Sequence, residues 1–112
     1  MAIKRGRIIW ACFVRGQCKK RPAVVISDPY PDGSFLVAVG TTQRSLPLPD
    51  HQVDLPWYRP FHPKTRLHTP TAVDCKWIEK VFPATIEEVG GVVPNAKLVE
   101  ILKKAEPHLP PA

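Results

Sequence analysis

No acidic residue occurs in the first 27 positions, although seven cations do: Lys4, Arg5, Arg7, Arg15, Lys19, Lys20 and Arg21. Such one-sided charge suits a polyanion, and nucleic acid is the usual one. Residues 56–80 hold a second positive block, with five cations against two acids, and the chain as a whole carries +6. A soluble basic surface with no specific partner is the other reading of these charges.

Long apolar runs are also missing. None approaches the roughly 20 residues that cross a bilayer as a helix. The run Ile8 to Val14 is too short for a signal peptide and is followed by Arg15, so the expected location is cytoplasmic. Cysteine is scarce: Cys12, Cys18 and Cys75 make an odd number without CxxC spacing. That argues against a disulfide framework and against a zinc site. No metal and no cofactor is expected. Helix is excluded from residues 44–70, where Pro47, Pro49, Pro56, Pro60, Pro63 and Pro70 fall.

The chain that remains, at 112 residues, is read as one domain, 1–112, large enough to bury a core without staples. Its apolar stretches are short and β-branched. Strands are expected over Arg7 to Val14, Arg21 to Ser27, Ser34 to Thr42 and Gln52 to Leu55. Asp28-Pro29-Tyr30-Pro31-Asp32-Gly33 is a turn cluster. Thr71 to Ile78 alternates, with Val73, Cys75 and Trp77 on one face and Asp74 and Lys76 on the other. Pro83 to Val89 reads as one or two helical turns, and Val92-Val93 as a short extended piece. Pro94 to Ala105 is the one clear helix, with Leu98, Val99, Leu102 and Ala105 on its apolar face. The result is a mainly β fold, a strongly curved small barrel with a C-terminal α-helix.

Two stretches carry chemistry. In Lys19-Lys20-Arg21-Pro22-Ala23-Val24-Val25-Ile26-Ser27, three cations lead into a buried strand, which is a rigid mount for charge. A guanidinium there offers bidentate donors to a phosphate. In Gly40-Thr41-Thr42-Gln43, glycine allows close approach and the threonines offer hydroxyls at a strand end. The proline-rich loop interleaves Trp57, Tyr58, Arg59, Phe61, His62, Lys64, Arg66 and His68. Bases stack on aromatic faces while cations follow phosphates. The alternative is a flap whose aromatics close the barrel edge. His51, His62, His68 and His108 lie outside the motif stretches and read as loop residues.

Taken in order, Gly6-Arg7-Ile8-Ile9-Trp10, Lys20 to Ser27, Thr41-Thr42-Gln43, Val73-Asp74-Cys75 and Gly91 to Leu98 resemble the MazF/PemK family of endoribonuclease toxins. The resemblance implies an SH3-like barrel, a homodimer, an antitoxin partner, and metal-independent cleavage of single-stranded RNA by 2′-hydroxyl transesterification. It puts the catalytic arginine on Arg21 and the catalytic threonine on Thr41. Asp74 and Lys76 stand where some relatives have catalytic residues, with the charges exchanged; a solvated strand face is the other reading. Gln17, Lys19, Lys20, Thr42, Gln43, Arg59 and Arg66 are the expected RNA contacts. The loop before Arg21 lacks the acidic residue common in the family, so the general base is not named by the sequence. A non-catalytic RNA- or protein-binding module, or a CcdB-like topoisomerase poison, fits the same fold.

Overall fold

In a computed structural model of the chain, which describes residues 3–13, 19–43 and 46–110, strands dominate. They are β1 (Arg7–Phe13), β2 (Lys19–Val25), β3 (Phe35–Thr41), β4 (Gln52–Leu55), β5 (Thr71–Val81) and β6 (Ile86–Val92), followed by helix α1 (Asn95–Ala105). They form a single antiparallel sheet in the order β4-β5-β3-β2-β1-β6.

The unbroken apolar runs are explained by burial on both faces. One core cluster gathers Ile8, Val24, Ile26, Leu36, Ala38, Val73 and Cys75 with Ile101 and Ala105 of α1. A second gathers Ile9, Ala11, Phe13, Ala23, Val25, Phe35, Val37 and Val39. Consecutive residues of β1, β2 and β3 therefore go to opposite clusters, as a two-residue period requires.

The strand ladder does not close between β4 and β6 among the described residues. The proline-rich loop spans that gap. Val92 N–H donates to the Lys64 carbonyl at 2.8 Å, and Gly91 N–H to the Thr65 carbonyl at 3.2 Å. Thr65 and Leu67 are buried, and Thr65 Oγ1 donates to the Pro56 carbonyl at 2.8 Å. His62 Nδ1 accepts the backbone N–H groups of Lys64 and Thr65. Trp57 packs on the first cluster, whereas Tyr58 and Phe61 stay exposed. The loop thus acts as a flap at the barrel edge while leaving two aromatic rings outside.

Three expectations change. Pro83–Thr85 is a single 3₁₀ turn, and Ile86–Val92 is a strand. Pairing with the free edge of β1 outweighed the weak helical pattern. On α1, Ile101 takes the core position and Val99 is exposed, since the seam runs through Leu98, Ile101, Leu102 and Ala105. On β5, Trp77 joins the second cluster rather than following Cys75 into the first. Its pairing with β3 jumps from Gly40↔Val73 to Ala38↔Ile78. The residues between bulge out of that ladder, and a bulge re-aims side chains.

Cys75 is fully buried. Burial pushes its thiol up from 9.0 to about 11. A raised acid favours the protonated native state, so this stability is present below about pH 9 and is lost as pH rises toward 11. Near neutral pH, iodoacetamide should leave Cys75 unmodified in native protein and label it in urea, as read by peptide mass spectrometry. Equal labelling in both conditions would show that the site opens freely.

Candidate nucleic-acid interface

Lys19 and Lys20 already belong to β2, so the strand starts earlier than the sequence suggests and the three cations alternate. Arg21 shares its face with Ala23 and Val25, the second cluster. Lys20 points to the other side. Lys19, opposite Phe13, returns to the Arg21 face and is exposed.

Neighbouring β3 brings Thr41 to the same level. β2 and β3 pair as Ala23↔Val39, and a Cβ on Gly40 would stand 3.2 Å from the Pro22 carbonyl oxygen and 3.0 Å from that of Ala72. The close approach expected at Gly40 is therefore made by backbone on both sides. It holds β2, β3 and β5 tightly where Arg21 and Thr41 emerge. Period two puts Thr41 on the face of Val37 and Val39, which is the face of Arg21. Thr41 Oγ1 accepts the Gln43 N–H at 3.1 Å, which leaves the hydroxyl proton for donation.

Arg21 is half-buried. Its guanidinium carbon lies 5.4 Å from the centroid of the Trp77 ring, and Phe13 meets the same ring edge-on at 6.3 Å. Arg21 Nε is buried without a hydrogen-bond partner. A buried charged donor left unmatched is costly, and native structures keep few. Trp77 Nε1 in turn donates to Glu79 Oε2 at 2.7 Å. Glu79 pairs opposite Val37 and shares the Arg21 face.

Asp74 also lies on this face, between Val73 and Cys75 of the first cluster. One carboxylate oxygen accepts the Lys76 N–H at 2.9 Å and stands 3.8 Å from His51 Nε2. Lys76 is exposed beside it. Arg21, Thr41, Asp74 and Lys19 are thus collected on one side. No three His, Cys, Asp or Glu side chains converge as a metal site among the described residues.

The other side of the sheet holds a separate groove of about 460 Å³, lined by Trp10, Lys20, Thr42, His68, Thr69 and Glu88. Through Trp10, His68, Thr69 and Glu88 it joins a hollow of about 200 Å³ that Arg66 lines. Arg66 adopts a left-handed backbone with φ of 62°. Thr42 and Gln43 are exposed beyond the end of β3, and Arg59 is exposed on the loop. Gln17 lies outside the described residues.

The sequence reading missed Trp77, Glu79, Trp10 and Glu88. Trp77 was hidden by the bulge, and Glu79 by the underestimated length of β5. Trp10 and Glu88 face each other only through the β1–β6 register, Trp10↔Glu88. His68 is a loop residue, as expected, and the loop carries it to the groove rather than to Arg21.

Comparison with known structures gives fold neighbours over almost the full chain. An endoribonuclease in complex with its cognate antitoxin, from a mycobacterial species, aligns with a TM-score of 0.67 at 18% identity, covering 96% of this chain and 97% of that one. Mycobacterium tuberculosis toxin MazF-mt6 aligns with a TM-score of 0.62 at 16% identity, over 88% and 90% of the two chains. A further mycobacterial endoribonuclease gives 0.64 at 18% identity, over 94% and 88%. No curated protein matches the sequence. A profile of the PemK-like, MazF-like toxins of type II toxin–antitoxin systems matches residues 4–109. The chain belongs to that toxin family.

Proposed function

We propose that this toxin is a metal-independent endoribonuclease that cleaves single-stranded RNA, with Arg21 and Thr41 as its catalytic residues. The observation that carries this reading is the half-buried guanidinium of Arg21, held against the Trp77 ring on the same face as Thr41. A guanidinium mounted in this way presents parallel donors that suit the oxygens of a phosphate.

In the reaction, the 2′-oxygen attacks phosphorus, a P–O2′ bond forms and the P–O5′ bond breaks. The guanidinium of Arg21 and the hydroxyl of Thr41 donate to the oxygens where phosphorane charge develops. Preorganised donors of this kind are often the largest catalytic contribution. The 2′-hydroxyl proton goes to the carboxylate of Asp74, two residues from the Ala72 that pairs with Thr41. The leaving 5′-oxygen takes up a proton from a water molecule. Lys76 adds a cation beside Asp74, while Lys19, Gln43 and Arg59 attract the RNA backbone from the exposed surface. The whole of 1–112 acts as one toxin domain.

The partners are RNA, an antitoxin protein that covers the site, and a second copy of this chain; the compartment is the cytoplasm. An antitoxin is supported by family membership and by the mycobacterial relative solved with its own antitoxin. Among the described residues no helix is long and apolar enough to cross a membrane.

Purified toxin incubated with single-stranded RNA in EDTA should give products ending in a 2′,3′-cyclic phosphate. A 2′-deoxy substitution at the cut should block them. Intact RNA under these conditions would favour the non-catalytic module. Intact RNA with growth arrest and DNA damage would favour a topoisomerase poison.

A further inference from the structure

The groove behind the Arg21 face has no part in the bond-breaking chemistry above, yet its lining has a specific donor and acceptor pattern. Trp10 is packed on the first core cluster on one side and open to the groove on the other. Lys20 Nζ lies 3.2 Å from Glu88 Oε2 and 5.9 Å from the centroid of the Trp10 ring. One aromatic ring therefore sits beside a cation and a carboxylate that touch each other. The register explains it: Trp10 pairs with Glu88 across one edge of β1 and with Pro22, two residues from Lys20, across the other.

A flat base is the ligand that uses all three groups. It stacks on the indole, and its edge meets the ion pair. Single-stranded RNA is recognised in this way, by stacking on aromatic side chains and reading of the Watson–Crick edge. A carboxylate only accepts and an ammonium only donates. Guanine presents one acceptor, O6, beside two donors, N1–H and the N2 amino group. Adenine and cytosine set a ring acceptor next to their amino group, where it would face Glu88. Uracil has one N–H between two carbonyls. Thr42, His68 and Thr69 line the groove around Trp10, so polar groups ring the aromatic platform, which suits a flat base with polar edges.

We infer that this groove binds a guanine base of the RNA that the Arg21 face cleaves, with Trp10 as its stacking platform, Lys20 donating to O6, and Glu88 accepting from N1–H and the N2 amino group. The inference rests on RNA being the substrate. Lys20 and Arg21 are consecutive on β2, and Thr41 and Thr42 are consecutive at the end of β3. Each pair points one member to each side of the same end of the sheet. An RNA strand crossing that end reaches both sites, so the groove fixes which phosphodiester lies on Arg21.

The test is titration of the purified toxin with 5′-GMP, 5′-IMP, 5′-AMP, 5′-CMP and 5′-UMP, followed by tryptophan fluorescence. GMP should bind about tenfold more tightly than AMP, CMP and UMP. IMP, which lacks the N2 amino group, should fall between. Glu88→Gln should reduce the GMP preference to about twofold. Val99→Ala, on the exposed face of α1, should keep it. Equal binding of all five nucleotides overturns the inference, as does a GMP preference that survives Glu88→Gln. Equal binding of nucleotides with loss of antitoxin binding in Glu88→Gln overturns it in favour of a protein partner. If RNA is cleaved in EDTA but no guanine preference exists, this inference fails alone. If the preference exists without cleavage, the nuclease reading fails alone.

Discussion

Arg21→Ala should lower the single-turnover rate of RNA cleavage by about 10²–10³-fold, the usual cost of losing one preorganised donor at a developing oxyanion. Arg21→Lys should recover little of it. A lysine restores the charge but not the planar fork, and a lysine side chain cannot present two parallel donors to phosphate. The fold should be unaffected or slightly stabilised in Arg21→Ala, because the native Nε is buried without a partner. That combination separates a functional arginine from a structural one. A structural arginine would lose stability and activity together; here activity falls while the unfolding midpoint holds. If Arg21→Ala cleaves RNA at the normal rate, the assignment is wrong. Trp77 enters the same test. Its ring lies 5.4 Å from the Arg21 guanidinium carbon, so Trp77→Leu should reduce cleavage by freeing the guanidinium, while keeping most of the apolar packing.

Gly91→Ala should be the most destabilising small substitution in the chain's barrel-closing region. A Cβ there would fall within the backbone of Lys64 and Thr65. Backbone cannot swing aside as a long side chain can, so the loop must leave β6. Two hydrogen bonds go with it, from Gly91 N–H to the Thr65 carbonyl and from Val92 N–H to that of Lys64. The expected loss is about 4 kcal/mol, at the high end for a single substitution, or a fall in Tm on the order of 15 °C. Urea unfolding gives the free energy. Hydrogen exchange at the Gly91 and Val92 amides should accelerate even in conditions where the rest of the sheet stays protected. Unchanged exchange at these two amides would show that the loop does not close the barrel in solution.

Arg21 was visible in the sequence because strand chemistry and charge are local: a cation cluster abutting Pro22 and a β-branched run is informative without knowing the neighbours. The same holds for Gly40-Thr41, for the expected strands β1 to β4, and for α1. Local propensity and period two suffice where a strand is regular and buried on both faces.

Where the ladder is irregular, local pattern misleads. The alternation from Val73 to Trp77 is sound as far as Cys75. It then breaks because β5 carries a bulge between its pairings with Gly40 and Ala38. Nothing in five residues of sequence encodes that jump; it follows from how β3 and β5 meet across the curved sheet. The bulge is what turns Trp77 under Arg21 and brings Glu79 to the same face. Strand β6 is a similar case: Ile86 to Val92 has little strand character of its own, and the open edge of β1 organises it.

A mainly β domain with a C-terminal helix, a basic surface, and the positions of Arg21 and Thr41 at strand ends are all legible in the sequence. These depend on charge, backbone restriction by proline and glycine, and side-chain periodicity, all of which are properties of short segments. That Lys20 and Arg21 serve different faces, and that Trp77 rather than an acid lies against the arginine, follows from the folded chain alone. So does the gathering of Trp10, Lys20 and Glu88, 78 positions apart at the extremes, into one groove. Those facts come from register and strand order. Both are set by the packing of the two core clusters against each other through the whole sheet, and no single segment contains them.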